Sequence, residues 1–254
     1  MTGSGTAMIL TYHSLDTSGS VISVAPEAFR SQMEFLMRSG IPVVPLTSLR
    51  TTPGAVAITF DDGFENFYTD ALPVLTEYNL PATVFVVTDY CGGSNGWPSQ
   101  SLHGIPRRKL MDWTQLREAA SCGITLGAHT ATHPHLPELP LARAEEEIRR
   151  SKHDLEERTG TPVETFAYPY GDTSRAVRDC AAGYFRFACG TALGMVNEHS
   201  DPVELPRIDM YYFRNSFWFK SLWSLRGRAY LALRQTLRAA RQAQLRLHPS
   251  TAQS

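Results

Sequence analysis

Short apolar runs alternate with segments whose apolar positions recur at helical spacing along most of this 254-residue chain. Ala7–Tyr12, Ala55–Phe60, Ala82–Val87, Ile124–Ala128 and Glu164–Ala167 read as strands, rich in β-branched and aromatic residues and bounded by polar or turn-forming ones. Phe187–Cys189 reads as a further short strand, and Leu205-Pro206-Arg207-Ile208-Asp209 is expected to follow a final one. Between the strands, Pro26–Met37 sets Phe29, Met33, Leu36 and Met37 on one helical face and stops at Gly40. Phe67–Glu77, Asp112–Ser121, Leu141–Arg158 and Ser174–Ala182 read as helices too, with Glu145–Glu147 expected to open the third of these, as the helix dipole prefers. Residues 91–111 hold Gly92, Gly93, Gly96, Pro98, Gly104 and Pro106 without a sustained period and form a loop. Repeated strand-then-helix units predict an α/β fold, a parallel sheet covered by helices.

Two of the apolar runs end abruptly in groups able to hold a metal ion. Ala57-Ile58-Thr59-Phe60 runs into Asp61-Asp62-Gly63, and Gly127-Ala128 runs into His129-Thr130-Ala131-Thr132-His133. Successive strand side chains point to opposite faces, so one aspartate can reach a cation while its neighbour stays free to move a proton. Asp62, His129 and His133 are the expected ligands, and Asp61 the expected base; His129 with His135 is a competing pair. One carboxylate and two imidazoles leave coordination positions open, as catalytic rather than structural sites do. Zinc is the default ion; Co²⁺, Ni²⁺ or Fe²⁺ suit the same donors. An iron oxygenase would share those ligands but has no need of the second aspartate.

Composition narrows the class. With 43% apolar residues the chain can bury a full core. Its net charge of −1 hides an asymmetry: residues 1–206 carry 15 Lys and Arg against 24 Asp and Glu, whereas 207–254 carry 9 against Asp209 alone. Nucleic acid is not an expected partner, since most of the chain is acidic. Cys91, Cys122, Cys180 and Cys189 lack paired spacing and are expected to be free thiols. Met1–Thr6 has no basic stretch before an apolar run, which predicts a cytoplasmic location. The segment 211–254, with Tyr211-Tyr212-Phe213, Phe217-Trp218-Phe219 and a run containing Arg226, Arg228, Arg234, Arg238, Arg241 and Arg246, is expected as a helical extension of a 1–210 domain. Its mixture suits peripheral contact with anionic lipid. It also suits a final helix whose arginines offset the acidic body.

The strings Thr59-Phe60-Asp61-Asp62-Gly63, His129-Thr130-Ala131-Thr132-His133 and Phe166-Ala167-Tyr168-Pro169-Tyr170-Gly171 resemble, in order, the first three motifs of the polysaccharide deacetylases, the NodB-homology carbohydrate esterases. The resemblance runs from about Ile9 to Asp209. It implies a distorted, TIM-like (β/α) barrel with fewer than eight regular strands and metal-dependent removal of an N-acetyl group from an N-acetylhexosamine saccharide. It also implies that the Tyr170 backbone N–H serves as oxyanion donor. Two family features are missing: the third motif has Ala167 where arginine is usual, and no late Leu-x-His motif supplies a general acid, since His199 and His248 lack that context. Leu10-Thr11-Tyr12-His13-Ser14 resembles the poly-N-acetylglucosamine deacetylase branch, where the first strand delivers the acid; this implies His13 as the acid. Arg207 is the candidate partner of Asp61, and Asp209 that of His13. Tyr90, Trp97 and Trp113 are candidates for stacking on a sugar. Rival readings are a deacylase or deformylase of a small, nucleotide-linked or lipid-linked amino sugar, and a saccharide-binding module without catalysis. The oligomeric state has no sequence signal.

Overall fold

The apolar runs become parallel strands closed into a barrel. The computed structural model describes residues 6–100 and 104–247; Met1–Gly5 and His248 lie outside the described residues, as do the side chains of Arg241, Leu245, Arg246 and Leu247. Strand β1 (Met8–Tyr12) is followed by β2 (Ser14–Leu15) and β3 (Ser23–Val24), a small two-stranded sheet beside the barrel. Helix α1 (Pro26–Ser39) leads through an irregular stretch to β4 (Val56–Phe60); then come α2 (Leu72–Glu77), β5 (Ala82–Val86), α3 (Trp113–Ser121) and β6 (Thr125–Ala128). Helix α4 (Leu141–Thr159), β7 (Thr165–Ala167), α5 (Arg175–Tyr184), β8 (Phe187–Leu193) and β9 (Leu205–Asp209) complete the ring. Its order is β1-β4-β5-β6-β7-β8-β9, closed where Leu10 and Thr11 pair with Ile208 and Asp209.

Every residue of β1, β4 and β5 is buried, because parallel strands under a layer of helices are covered on both faces. That is why they appear as unbroken apolar runs. Several details differ from expectation; α2, for one, begins at Leu72, after a π-helical turn over Phe67–Ala71. Strand β8 extends to Leu193, since a bulge lets it stay paired with β9 as far as Arg207. Leu205–Asp209 is itself the last strand rather than a segment after it. The acidic triplet does not open α4: the helix begins at Leu141, and Glu147 falls among Ala144, Ile148, Ser151 and Leu155 on the buried face. Its carboxylate is held there by long-range partners described below.

The tail shares the barrel's core. Helices α6 (Ser216–Ser221) and α7 (Leu225–Leu247) and the link between them bury Phe219, Leu231 and Leu222 in the same cluster as β1, β4 and α1, and Phe35 meets Phe219 and Trp223 at centroid distances of 5.9 and 5.4 Å. The aromatic residues are therefore largely packing groups; Phe217, Leu225, Leu233 and Leu237 remain exposed. Among the described residues no helix is long and apolar enough to cross a membrane. All four cysteines are free.

Candidate active site

The polar strings sit at the carboxyl ends of their strands, on the face where barrels of this kind gather loops. Asp61 extends the β4–β1 ladder by donating its backbone N–H to the Tyr12 carbonyl at 2.9 Å, which sets it beside His13. The His13 Nε2 lies 3.7 Å from Asp61 Oδ2. From β9, Arg207 donates to both Asp61 oxygens at 2.7 Å and, through Nε, to the Gly190 carbonyl at 2.8 Å. Asp61 and Arg207 are each only 3% exposed. Burial pushes the Asp61 carboxyl upward, but the guanidinium and His13 outweigh it and hold the group below its usual range. Arg207 mirrors this: burial pulls it down, and Asp61 more than restores it.

Asp62 turns the other way. Its Oδ1 stands 3.4 Å from the Nε2 atoms of both His129 and His133, all three buried. Burial pushes Asp62 up, yet the two imidazoles hold its carboxyl far below the ordinary carboxylate range. His129 donates its Nδ1–H to the Ala167 carbonyl at 2.7 Å, so a neutral ring carries its lone pair on Nε2, facing Asp62. The residue that departs from the usual third motif thus orients a histidine through its backbone. Burial lowers the pKa of His133, which favours the neutral, ligating form. Its Nδ1 is buried with no hydrogen-bond partner among the described residues. The donor set, with two imidazole lone pairs and a carboxylate oxygen converging, fits a divalent cation of the Zn²⁺ kind.

Backbone strain concentrates at this place. Of the five non-glycine residues with positive φ among the described residues, Asp62 (72°), Thr130 (66°), His133 (60°) and Tyr170 (59°) all belong to the three strings. What holds them is partly long-range. Glu147, from α4, accepts the backbone N–H groups of Ala131 and Thr132 at 3.0 and 2.8 Å and the Thr132 hydroxyl at 2.9 Å. Thr130 Oγ1 accepts the His133 N–H at 2.9 Å, closing the turn between the histidines. Ser99 donates to the His133 carbonyl. None of these supports was expected from the sequence, although an acid on an apolar helical stripe was a signal that Glu147 had an internal partner.

Other expected residues fall differently. His135 stays outside the cluster, stacked on Tyr170 at 4.1 Å and paired with Asp172 at 2.6 Å. Trp97 is buried and stacked on His133 at 4.3 Å, backing a histidine at the edge of the small cavity it also lines; Trp113 lies under Arg158. Asp209 accepts the Tyr211 N–H at 2.9 Å and forms no ion pair with His13 among the described residues. Gly171, at φ 73°, completes the turn presenting Tyr170; a Cβ there would come within 2.1 Å of Thr191 Oγ1. His13, Asp61, Asp62, His129, His133 and Tyr170 together line a cavity of about 100 Å³.

Residues 48–184, more than half of the chain, match the family model described as polysaccharide deacetylase. The chain belongs to the polysaccharide deacetylase family. The matched region holds Asp61, Asp62, His129, His133 and Tyr170, while His13 and Arg207 lie outside it. The poly-beta-1,6-N-acetyl-D-glucosamine N-deacetylase of Staphylococcus epidermidis is 27% identical over 165 residues, 59% of this chain and 54% of that protein. This chain spans about half the length of the curated relatives it matches. IcaB from Ammonifex degensii aligns with a TM-score of 0.70 at 20% identity, over 86% of this chain and 95% of its own. The Streptococcus pyogenes deacetylase PplD, solved in complex with acetate, gives 0.69 at 22% identity, over 80% and 92%. At such identities these two likenesses speak for the shared barrel alone.

Proposed function

We propose that this polysaccharide deacetylase family member is a divalent-cation-dependent N-deacetylase of saccharides containing an N-acetylhexosamine. The observation that carries the reading is the division of labour between adjacent aspartates: Asp62 faces two histidines, while Asp61 is turned to an arginine and a third histidine. A cation held by Asp62, His129 and His133 would supply a lowered water pKa, from about 16 toward 7, and polarisation of the acyl oxygen.

The remaining steps belong to the protein. Asp61 accepts the proton of the attacking water; Arg207 keeps it ionised and oriented, at some cost in basicity. Water adds to the acyl carbon, and the oxygen that gains charge meets the Tyr170 backbone N–H, a type of donor whose loss typically costs about 3 kcal/mol in the barrier. His13 gives a proton to the departing nitrogen as the carbon–nitrogen bond breaks, releasing acetate and the free amine.

The test pairs acetate release from N-acetylated oligosaccharides with metal content. Asp61→Asn should abolish turnover, by on the order of 10³-fold or more, while bound metal persists. Near-normal activity in that variant sinks the base assignment, and a protein that binds saccharide but never releases acetate is the non-catalytic module instead.

A further inference from the structure

The small cavity shares His13, Ile22, Tyr170 and Thr191 with a larger one of about 650 Å³, a size suited to a small-molecule site. A sugar whose acetamido group enters the smaller space leaves its remainder in the larger. One wall of the latter comes from α7, which contributes Arg234, Leu237 and Arg238. Residues four apart share a helix face, so both guanidinium groups meet the same space. Arg234 lies 4.2 Å over the ring of Tyr212, which also lines the cavity.

The charge on this wall is offset only in part: Arg238 acts on the Asp209 carboxyl through space, without a direct contact. Among the described residues no carboxylate forms an ion pair with Arg234 or Arg238, whereas Arg178 is tied to Glu204 and Arg207 to Asp61. Among the described residues Asp209 is the one acid lining the cavity, and it accepts the Tyr211 N–H. The offset of the tail's arginines against the acidic body therefore involves no direct ion pair at these two positions among the described residues. A carboxylate ligand would balance one guanidinium; a phosphate monoester carries about two negative charges at neutral pH and accepts from both planar forks.

We propose that Arg234 and Arg238 form a subsite for a phosphoryl group on the saccharide substrate, so that a glycosyl phosphate or diphosphate is handled in preference to a neutral sugar. This rests on the deacetylase reading of the smaller cavity. The shared chemistry is the phosphoryl group, whether carried by a nucleotide or by an isoprenoid lipid.

Calorimetric titration of the 254-residue chain with N-acetylglucosamine and its 1-phosphate tests this without requiring turnover. The 1-phosphate should bind about tenfold tighter or better, an advantage shrinking below about threefold in Arg234→Gln/Arg238→Gln. Arg226→Gln/Arg228→Gln, an equal charge change at two exposed positions of α7, should keep the full advantage. Equal binding of the two ligands by the unaltered protein overturns the proposal, and so does an equal loss in both double variants. UDP-N-acetylglucosamine and prenyl-diphospho-N-acetylglucosamine separate the sources: the better ligand names the carrier, and neither exceeding the neutral sugar counts against the subsite. Absence of acetate release from every ligand defeats the deacetylase reading alone, since binding is read independently.

Discussion

Removing Arg207 should expose how much the site depends on one buried ion pair. In Arg207→Met the Asp61 carboxylate stays in place, 3% exposed, without the two 2.7 Å contacts that neutralise it, and the Gly190 carbonyl loses its donor. Breaking a buried pair by deleting one partner costs about 3–5 kcal/mol. For a protein of this size that lowers Tm by about 10 °C. The effect has a pH signature. In the native protein Asp61 titrates below its ordinary value, so the pair's stabilisation is present above about pH 4 and is lost as pH falls through the native pKa. Without the guanidinium, burial is the leading influence and moves Asp61 upward. The deficit of the variant is then full at neutral pH and narrows as pH is lowered toward about 4. Thermal scans of the metal-free protein between pH 4 and 8 measure this, with Asp61→Leu/Arg207→Met as control. That double variant also lacks the Gly190 contact but leaves no unpaired charge, so it should be the more stable of the two. A fall in Tm under about 3 °C for Arg207→Met refutes the argument, as does a double variant no more stable than the single one.

Three further outcomes follow from named contacts. Glu147→Gln keeps the shape but removes the charge behind three hydrogen bonds to the turn between the histidines; it should lose about 1.5–3 kcal/mol in urea unfolding and weaken cobalt binding measured by absorbance, and unchanged values on both readouts would exclude a positioning role. His129→Ala should abolish stoichiometric binding of zinc in calorimetry while the far-ultraviolet dichroism of the barrel is retained; undiminished affinity would remove His129 from the ligand set. Burial pushes the Cys91 and Cys189 thiols up to about 12 each; their contribution to stability is complete below the unfolded value of about 8.5 and is lost as pH rises toward 12, so urea midpoints should fall between pH 8 and 10.5, less steeply in Cys189→Ala, and a flat profile would contradict the burial argument.

Much of this molecule could be read locally. The barrel strands were visible because parallel strands covered on both faces need uninterrupted apolar residues, a property that neighbours in sequence record. Asp61, Asp62, His129 and His133 were visible for a related reason: each cluster sits within a few residues just after a strand. The partner of Trp97 was not legible, because a tryptophan in a glycine-rich loop carries no mark of what it will cover. Glu147 was misread as a dipole group because its partners lie 15 and 16 residues earlier, beyond any periodic pattern.

The amino-acid order alone determined the alternating α/β plan, the acidic and histidine strings, and the excess of positive charge after residue 206. Tertiary structure decided which groups meet: Arg207 on Asp61, Ala167 behind His129, and two arginines of the last helix against a cavity shared with His13. The division has a physical origin. Periodicity and side-chain chemistry act over a few residues, whereas the inward face of a helix, and the partner a buried charge finds, depend on how the closed barrel brings distant segments together.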